Sequence, residues 1–311
     1  MSKNKTLLIL LLEGFISVSI QVLIARQLVP FIGSSVVTMS LVVGVFLAAL
    51  ALGYYKGGIF KPESIFVFGK NRKDNDKKIK EDLNRKGYLD KLTKNWYIAG
   101  LFIVITFSYP FMDIFFAVVN SVINNTLITT ILYLLLFLFT PVYLLGQTIP
   151  ILTNFFKEKN VSEITGLSLA INTVGSVLGS IVTTLVLMHF FGMAYTFFIE
   201  AVLITLLILM VSGFKNMRTN IGLLILLVSA YSLNVVYEKN NFVKTNEYGN
   251  YEVKEETGFM QNRKLLKINT SHSSGIIDGL YGFTYVQLIN HYLFSNFDIN
   301  PLNDVLIMGA A

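Results

Sequence analysis

Four polar side chains stand inside long apolar runs: Glu13, Gln147, Asn172 and Glu200. A carboxyl or amide at membrane depth is expensive unless it finds a partner. Such residues are therefore candidates for a proton or ion site, for the lining of a substrate path, or for hydrogen bonds that hold helices together. Gln147 and Asn172 fit interhelical hydrogen bonding most simply. Glu13 shares its run with Arg26, but their separation in sequence places them about 220° apart around a helix. They do not face each other, and Arg26 lies near enough to the end of the run to snorkel to the interface. The three histidines, His189, His272 and His291, have no ligand-spaced partners, and there are no cysteines. No metal site, disulfide or thiolate chemistry is expected, and the redox compartment stays open.

The elements that must position these groups are apolar helices. Of the 311 residues, 53% are hydrophobic and only 14% charged, with a mean hydropathy of +0.61; soluble domains carry about a quarter charged residues. The apolar residues fall into runs long enough to cross about 30 Å of hydrocarbon as helices, and lipid leaves the backbone no other way to satisfy its polar groups. Seven spans are expected, near Thr6–Val29, Ser35–Tyr55, Trp96–Val119, Leu127–Ile149, Gly166–His189, Met193–Val211 and Ile221–Tyr237. Glu13 and the absence of a small-residue cleavage site mark the first as a retained helix rather than a signal peptide. Tyr54, Tyr55, Trp96, Tyr97, Tyr143, Tyr231 and Tyr237 sit at predicted ends, where amphipathic rings favour the interface.

One long loop, Lys56 to Asn95, holds much of the net charge of +6: within 61–95 eleven Lys/Arg face six Asp/Glu. The positive-inside rule makes this loop cytoplasmic rather than a nucleic-acid site, and Asp74–Leu92 reads as a short polar helix. Lys157/Lys159 and Lys215/Arg218 fall on the same side, so seven spans put the C-terminal tail outside. Small residues repeat every four positions at Ala49, Gly53 and Gly57, and at Gly175, Gly179 and Thr183. These ridges predict close helix packing within the bundle, with a dimer seam as the other use. Pro141 and Pro150 bracket the fourth span and are expected to bend or end it.

After Tyr237 the composition turns mixed. The expected fold is a helical membrane domain over 1–237, a small β-rich soluble domain over 238–300 and, from 301 to 311, the first strand of an α/β domain. Phe242–Glu247, Tyr251–Glu256 and Lys264–Asn269 read as strands and Tyr281–Phe294 as a helix. Asp304–Met308 is a short apolar strand ending in Gly309, the position where a nucleotide-binding domain lets its backbone approach a cofactor.

Together these segments resemble the membrane-embedded branch of the spermidine synthase (polyamine aminopropyltransferase) family. The tail carries the likeness in Glu247-Tyr248-Gly249, Arg263–Leu265, Leu266–Asn269, Ser271–Ser274, Tyr285 and Asp304–Gly309. The membrane part carries it in Glu13-Gly14-Phe15, Leu50–Gly58, Gly146–Pro150 and Ala170–Gly179. The resemblance implies aminopropyl transfer from decarboxylated S-adenosylmethionine, or use of S-adenosylmethionine itself, with Gly309 at the cofactor and Ser273, Ser274 and Tyr285 at a polyamine or other small substrate. It places the catalytic acid beyond residue 311, so no catalytic residue is assigned and this chain is expected to be an N-terminal portion. The family's acidic stretch before the helix corresponds to Gly279–Thr284, which has no acid, and this leaves room for a methyltransferase-like relative. A small-molecule carrier built from the bundle, lined by Glu13, Gln147, Asn172 and Glu200, and a non-catalytic remnant or scaffold are the other readings. Partners expected are the bilayer of a prokaryotic cell and possible further copies of the chain, with no nucleic acid.

Overall fold

The computed structural model describes residues 3–62, 73–153, 161–214, 217–257, 262–269, 271–277, 280–281 and 283–296. The chain is mostly helical. Helices α1 (Lys3–Gln27), α2 (Val36–Ile59), α3 (Lys73–Thr106), α4 (Tyr109–Ile123), α5 (Thr126–Thr153), α6 (Val161–Val182), α7 (Gly192–Ser212) and α8 (Met217–Asn241) form the bundle. Three of them contain π-helical stretches: Leu134–Leu138 in α5, Thr183–Phe191 extending α6, and Tyr231–Val236 in α8.

The exposure pattern inverts that of a soluble protein. Large apolar side chains such as Leu47, Val177, Leu224 and Val228 point outward, while Glu13, Ser19, Gln147, Asn172 and Glu200 are buried. Apolar outside and polar within is the arrangement that lipid selects. Five stretches are long and apolar enough to cross a membrane: Lys3–Ile32, Val36–Ile59, Thr126–Thr153, Ser162–Ser212 and Met217–Asn241. A sixth is the bent pair Leu83–Thr106 plus Tyr109–Ile123.

Side-chain contacts fix the helix directions. Ser19 bonds both Thr183 and Glu200. Two residues seventeen apart on one straight helix would be separated by about 25 Å, so the chain must reverse between them. It does so at Gly192, whose φ of +78° suits glycine. α1 and α6 run in the same direction, since Leu10 meets Asn172, Phe15 meets Gly179 and Ser19 meets Thr183. α3 and α8 are likewise parallel, through Tyr97–Gly222 and Gly100–Leu226. α3 opposes α5, through Asn95–Gln147 and Thr106–Tyr133. Consecutive long helices therefore alternate in direction, and the start of α3 lies at the end of the bundle opposite Arg26 and the tail.

Both predicted ridges are seams inside the bundle. A Cβ on Gly175 or Gly179 would collide with the Leu11 or Phe15 carbonyl of α1, and one on Gly57 would lie 2.9 Å from the Gln147 backbone of α5. The absent side chains let the backbones touch, where dispersion and short polar contacts are strongest.

The third predicted span, Trp96–Val119, is not one straight helix. α3 begins already at Lys73, so the polar segment expected as a separate short helix is its first turns. At Phe107–Ser108 the axis turns by 68° into α4. The cause is Pro110, which cannot donate to the carbonyl four residues earlier. That carbonyl belongs to Thr106, and the buried Tyr133 hydroxyl donates to it at 2.6 Å. Tyr133→Phe should leave it unpaired and lower stability by about 1–3 kcal/mol, read as a reduced Tm in detergent; an unchanged Tm would contradict this role. Trp96 is also corrected. It is fully buried, and its indole N–H donates to Thr148 at 3.0 Å, so it is not an interfacial ring. Pro141 does not end α5, which continues through it, with the π-helical stretch Leu134–Leu138 shortly before it.

The tail forms an antiparallel meander in the order β1 (Lys244–Thr245), β2 (Asn250–Thr257), β3 (Asn262–Ile268), β4 (Ser271–Ile277) and β5 (Leu280–Tyr281), followed by helix α9 (Thr284–Asn296). Lys264 bonds Glu255 at 2.6 Å, directly opposite it, and Glu252 stands opposite Lys267; opposite charges face to face hold the β2–β3 register. Three expectations change. Most of Phe242–Glu247 is not strand, β4 forms where only a serine-containing segment was expected, and Tyr281, expected to open the helix, pairs in β5, so that the helix begins at Thr284.

Candidate functional site

The four intramembrane candidates fall into three separate contacts. Glu13 accepts from Ser17 at 2.8 Å and from the Asn172 amide, which also donates to the Leu10 carbonyl at 3.1 Å. This joins α1 to α6 beside the Gly175 seam. Glu200 on α7 accepts from Ser19, which also bonds Thr183 at 2.6 Å, while its second oxygen is buried without a hydrogen-bond partner. Gln147 accepts from Asn95 at 2.9 Å across the α3–α5 seam. The four are thus divided among the α1–α6, α1–α7 and α3–α5 seams, and none of them is a lining residue of the three cavities described. Gln147 and Asn172 do bond between helices, as their residue types suggest.

The richest polar cluster lies where the tail meets the bundle. Arg26 does not snorkel: it is 6% exposed. Its Nε donates to the Asn246 carbonyl at 3.0 Å and one terminal nitrogen to Asn250 Oδ1 at 3.1 Å. Asn246 organises that turn by accepting from the N–H groups of Tyr248 and Gly249, an Asx arrangement. Beside it, Glu238 accepts from the Tyr109 hydroxyl at 2.9 Å and from the Ala194 N–H at 3.0 Å, while Thr245 accepts from the Met193 N–H at 2.9 Å. These groups satisfy the first orphan donors of α7 and set an anion at its positive end. Tyr237 donates to Asp113 at 2.8 Å, tying α8 to α4.

Glu247 completes the cluster, 2.9 Å from His189 Nδ1. Partial burial works to raise its pKa, but the bond from His189, its own backbone N–H and the charges of His189 and Lys244 outweigh this and hold it below the ordinary carboxylate range. The Arg26 guanidinium also feels the charge of Glu247. A depressed folded-state value means that the contribution of Glu247 to tail docking is complete above the ordinary 4.5 and lost as pH falls through the lowered value. Amide protection of β1 and β2 should therefore hold on acidification to that point and then fall; Glu247→Gln should remove the acid-sensitive step.

Of the residues assigned by resemblance to substrate, Ser273 and Ser274 lie on β4, and the Tyr285 hydroxyl on α9 donates to the Ser273 carbonyl at 3.1 Å. Gly309 and the segment Asp304–Met308, expected as a strand, lie outside the described residues. Among the described residues there is no group of three or more His, Asp or Glu placed to hold a metal ion. Sequence reasoning missed Tyr109, Glu238 and Thr245; the signal for Glu238 and Thr245 was the run of polar residues directly after the last apolar stretch, and Tyr109, inside an apolar run, carried none. In comparisons with protein-family models, curated proteins and solved structures, nothing matched this chain.

Proposed function

We propose that this chain is a multi-pass membrane protein of seven crossings that carries, at one end, the substrate-side β-domain of a spermidine synthase-like transferase. The alternating helix directions support seven crossings if the bent α3–α4 pair crosses once and the stretch Ser162–Ser212 crosses twice. Residues 61–95 then face the cytoplasm and the sheet lies on the other side. A single observation carries the transferase reading: an antiparallel meander followed by a helix, with Tyr285 seated on the strand that holds Ser273 and Ser274. The chemistry would be alkyl transfer from a sulfonium donor to an amine, completed by a following α/β domain that opens at Asp304–Gly309. Such transfer needs the donor and amine held in line and shielded from water. Calorimetry on the chain joined to that domain should detect decarboxylated S-adenosylmethionine or S-adenosylmethionine. Absence of heat with both would end this reading.

A second reading, a small-molecule or proton carrier, is favoured by the unpartnered oxygen of Glu200 within the bundle. It requires that Glu200→Gln or Glu13→Gln abolish flux in proteoliposomes; flux equal to that of empty vesicles in the unaltered protein would remove it.

A further inference from the structure

A groove of about 460 Å³ runs between α1, α2 and the π-helical Thr183–Phe191, with Glu247 and Tyr248 of the tail among its lining residues. Much of its wall is apolar: Val22 and Ala25 of α1, Val29 just beyond it, Val42 and Val43 of α2, and Met188. Its polar groups are different in kind. Arg26 and Glu247 both line the groove. Each keeps one polar atom buried without a hydrogen-bond partner, Nη1 of Arg26 and Oε2 of Glu247. Unsatisfied buried charge-bearing atoms are costly, and native proteins rarely leave two together without a role. The volume lies within the roughly 300–1,000 Å³ of ligand sites.

We propose that this groove binds an aminophospholipid, with its phosphate on Arg26, its primary ammonium on Glu247 and an acyl chain along the apolar walls. Charge complementarity selects this occupant. A purely anionic headgroup would meet the Glu247 carboxylate, and a quaternary ammonium has no N–H to give it. The apolar walls sit between helices whose outer faces carry exposed apolar side chains, including Met39 and Val43 on α2. The chain of a membrane lipid can therefore enter sideways. The site is independent of any transferase activity.

Native mass spectrometry of the purified full chain tests this, with phosphatidylethanolamine, phosphatidylcholine and phosphatidylglycerol added in turn. One phosphatidylethanolamine should be retained about tenfold more tightly than either other lipid, equivalent to about 1.4 kcal/mol. Glu247→Gln should erase that preference. Val43→Trp, which fills the groove from a part-exposed position away from the polar groups, should release the lipid while the circular dichroism spectrum and Tm stay unchanged. Equal retention of the three lipids, or undiminished phosphatidylethanolamine binding to the Val43→Trp protein, would overturn the proposal. So would displacement of the lipid by soluble O-phosphoethanolamine at matched concentration, since the headgroup alone would then suffice.

Discussion

Gly175→Val is expected to prevent assembly of the bundle, whereas Gly44→Val should leave it intact. At Gly175 even a single added carbon falls inside the contact distance of the Leu11 carbonyl oxygen, and the backbone of α1 is what would have to move. Moving it would separate Phe15 from Gly179, Ser19 from Thr183 and Glu13 from Asn172 together, because all lie on the same seam. Overpacking alone costs about 1–3 kcal/mol, and the lost bond to Asn172 leaves a buried carboxyl short of a partner at several more. Gly44, on the outward face of α2, has nothing within 4 Å of an added Cβ, and valine there removes a weak helix former. Size-exclusion profiles in detergent after graded heating would distinguish the two. Equal survival of both variants would show that the α1–α6 seam is looser than its geometry.

Arg26→Met should undock the tail while the bundle remains folded. The guanidinium holds the Asn246 carbonyl and Asn250 Oδ1 and balances Glu238 and Glu247. Its removal leaves the Asn246 carbonyl and Asn250 Oδ1 without their donor and takes a positive charge from beside Glu238 and Glu247, at about 1–3 kcal/mol for buried polar groups left unsatisfied. Hydrogen exchange gives the direct readout. Amides of Lys244–Thr257 should lose protection by orders of magnitude, while those of α1 and α6 keep theirs. Protection retained throughout β2 would show that the sheet is held by other contacts.

These outcomes separate what could be read from residue types from what could not. The glycine ridges were legible because four-residue spacing of small side chains maps directly onto one face of a helix, and the contact it permits is steric. Glu13 and Asn172 were legible as polar groups in apolar runs, although which helix answers which was not. The bend at Ser108 escaped because Ser-Tyr-Pro inside an apolar stretch leaves hydropathy unbroken; only the Thr106–Tyr133 bond shows how the bend is stabilised. Arg26 misled in the same way. A cation near the end of a span ordinarily reaches water, and nothing local announces that a turn more than two hundred residues away covers it. β4 was missed because Ser271–Gly275 has little intrinsic strand preference; pairing with β3 on one edge imposes the extended form.

The reach of that clamp has a consequence for synthesis. Arg26 and Asn246 are 220 residues apart, Glu13 and Asn172 are 159 apart, and Ser19 and Glu200 are 181 apart. At about 5–20 residues per second of translation, the first helix leaves the ribosome roughly 10–40 s before its last partner exists. During that interval a cation and a carboxylate on α1 have no native counter-group. A helix made early is thus completed late, when the tail emerges and closes the structure over it.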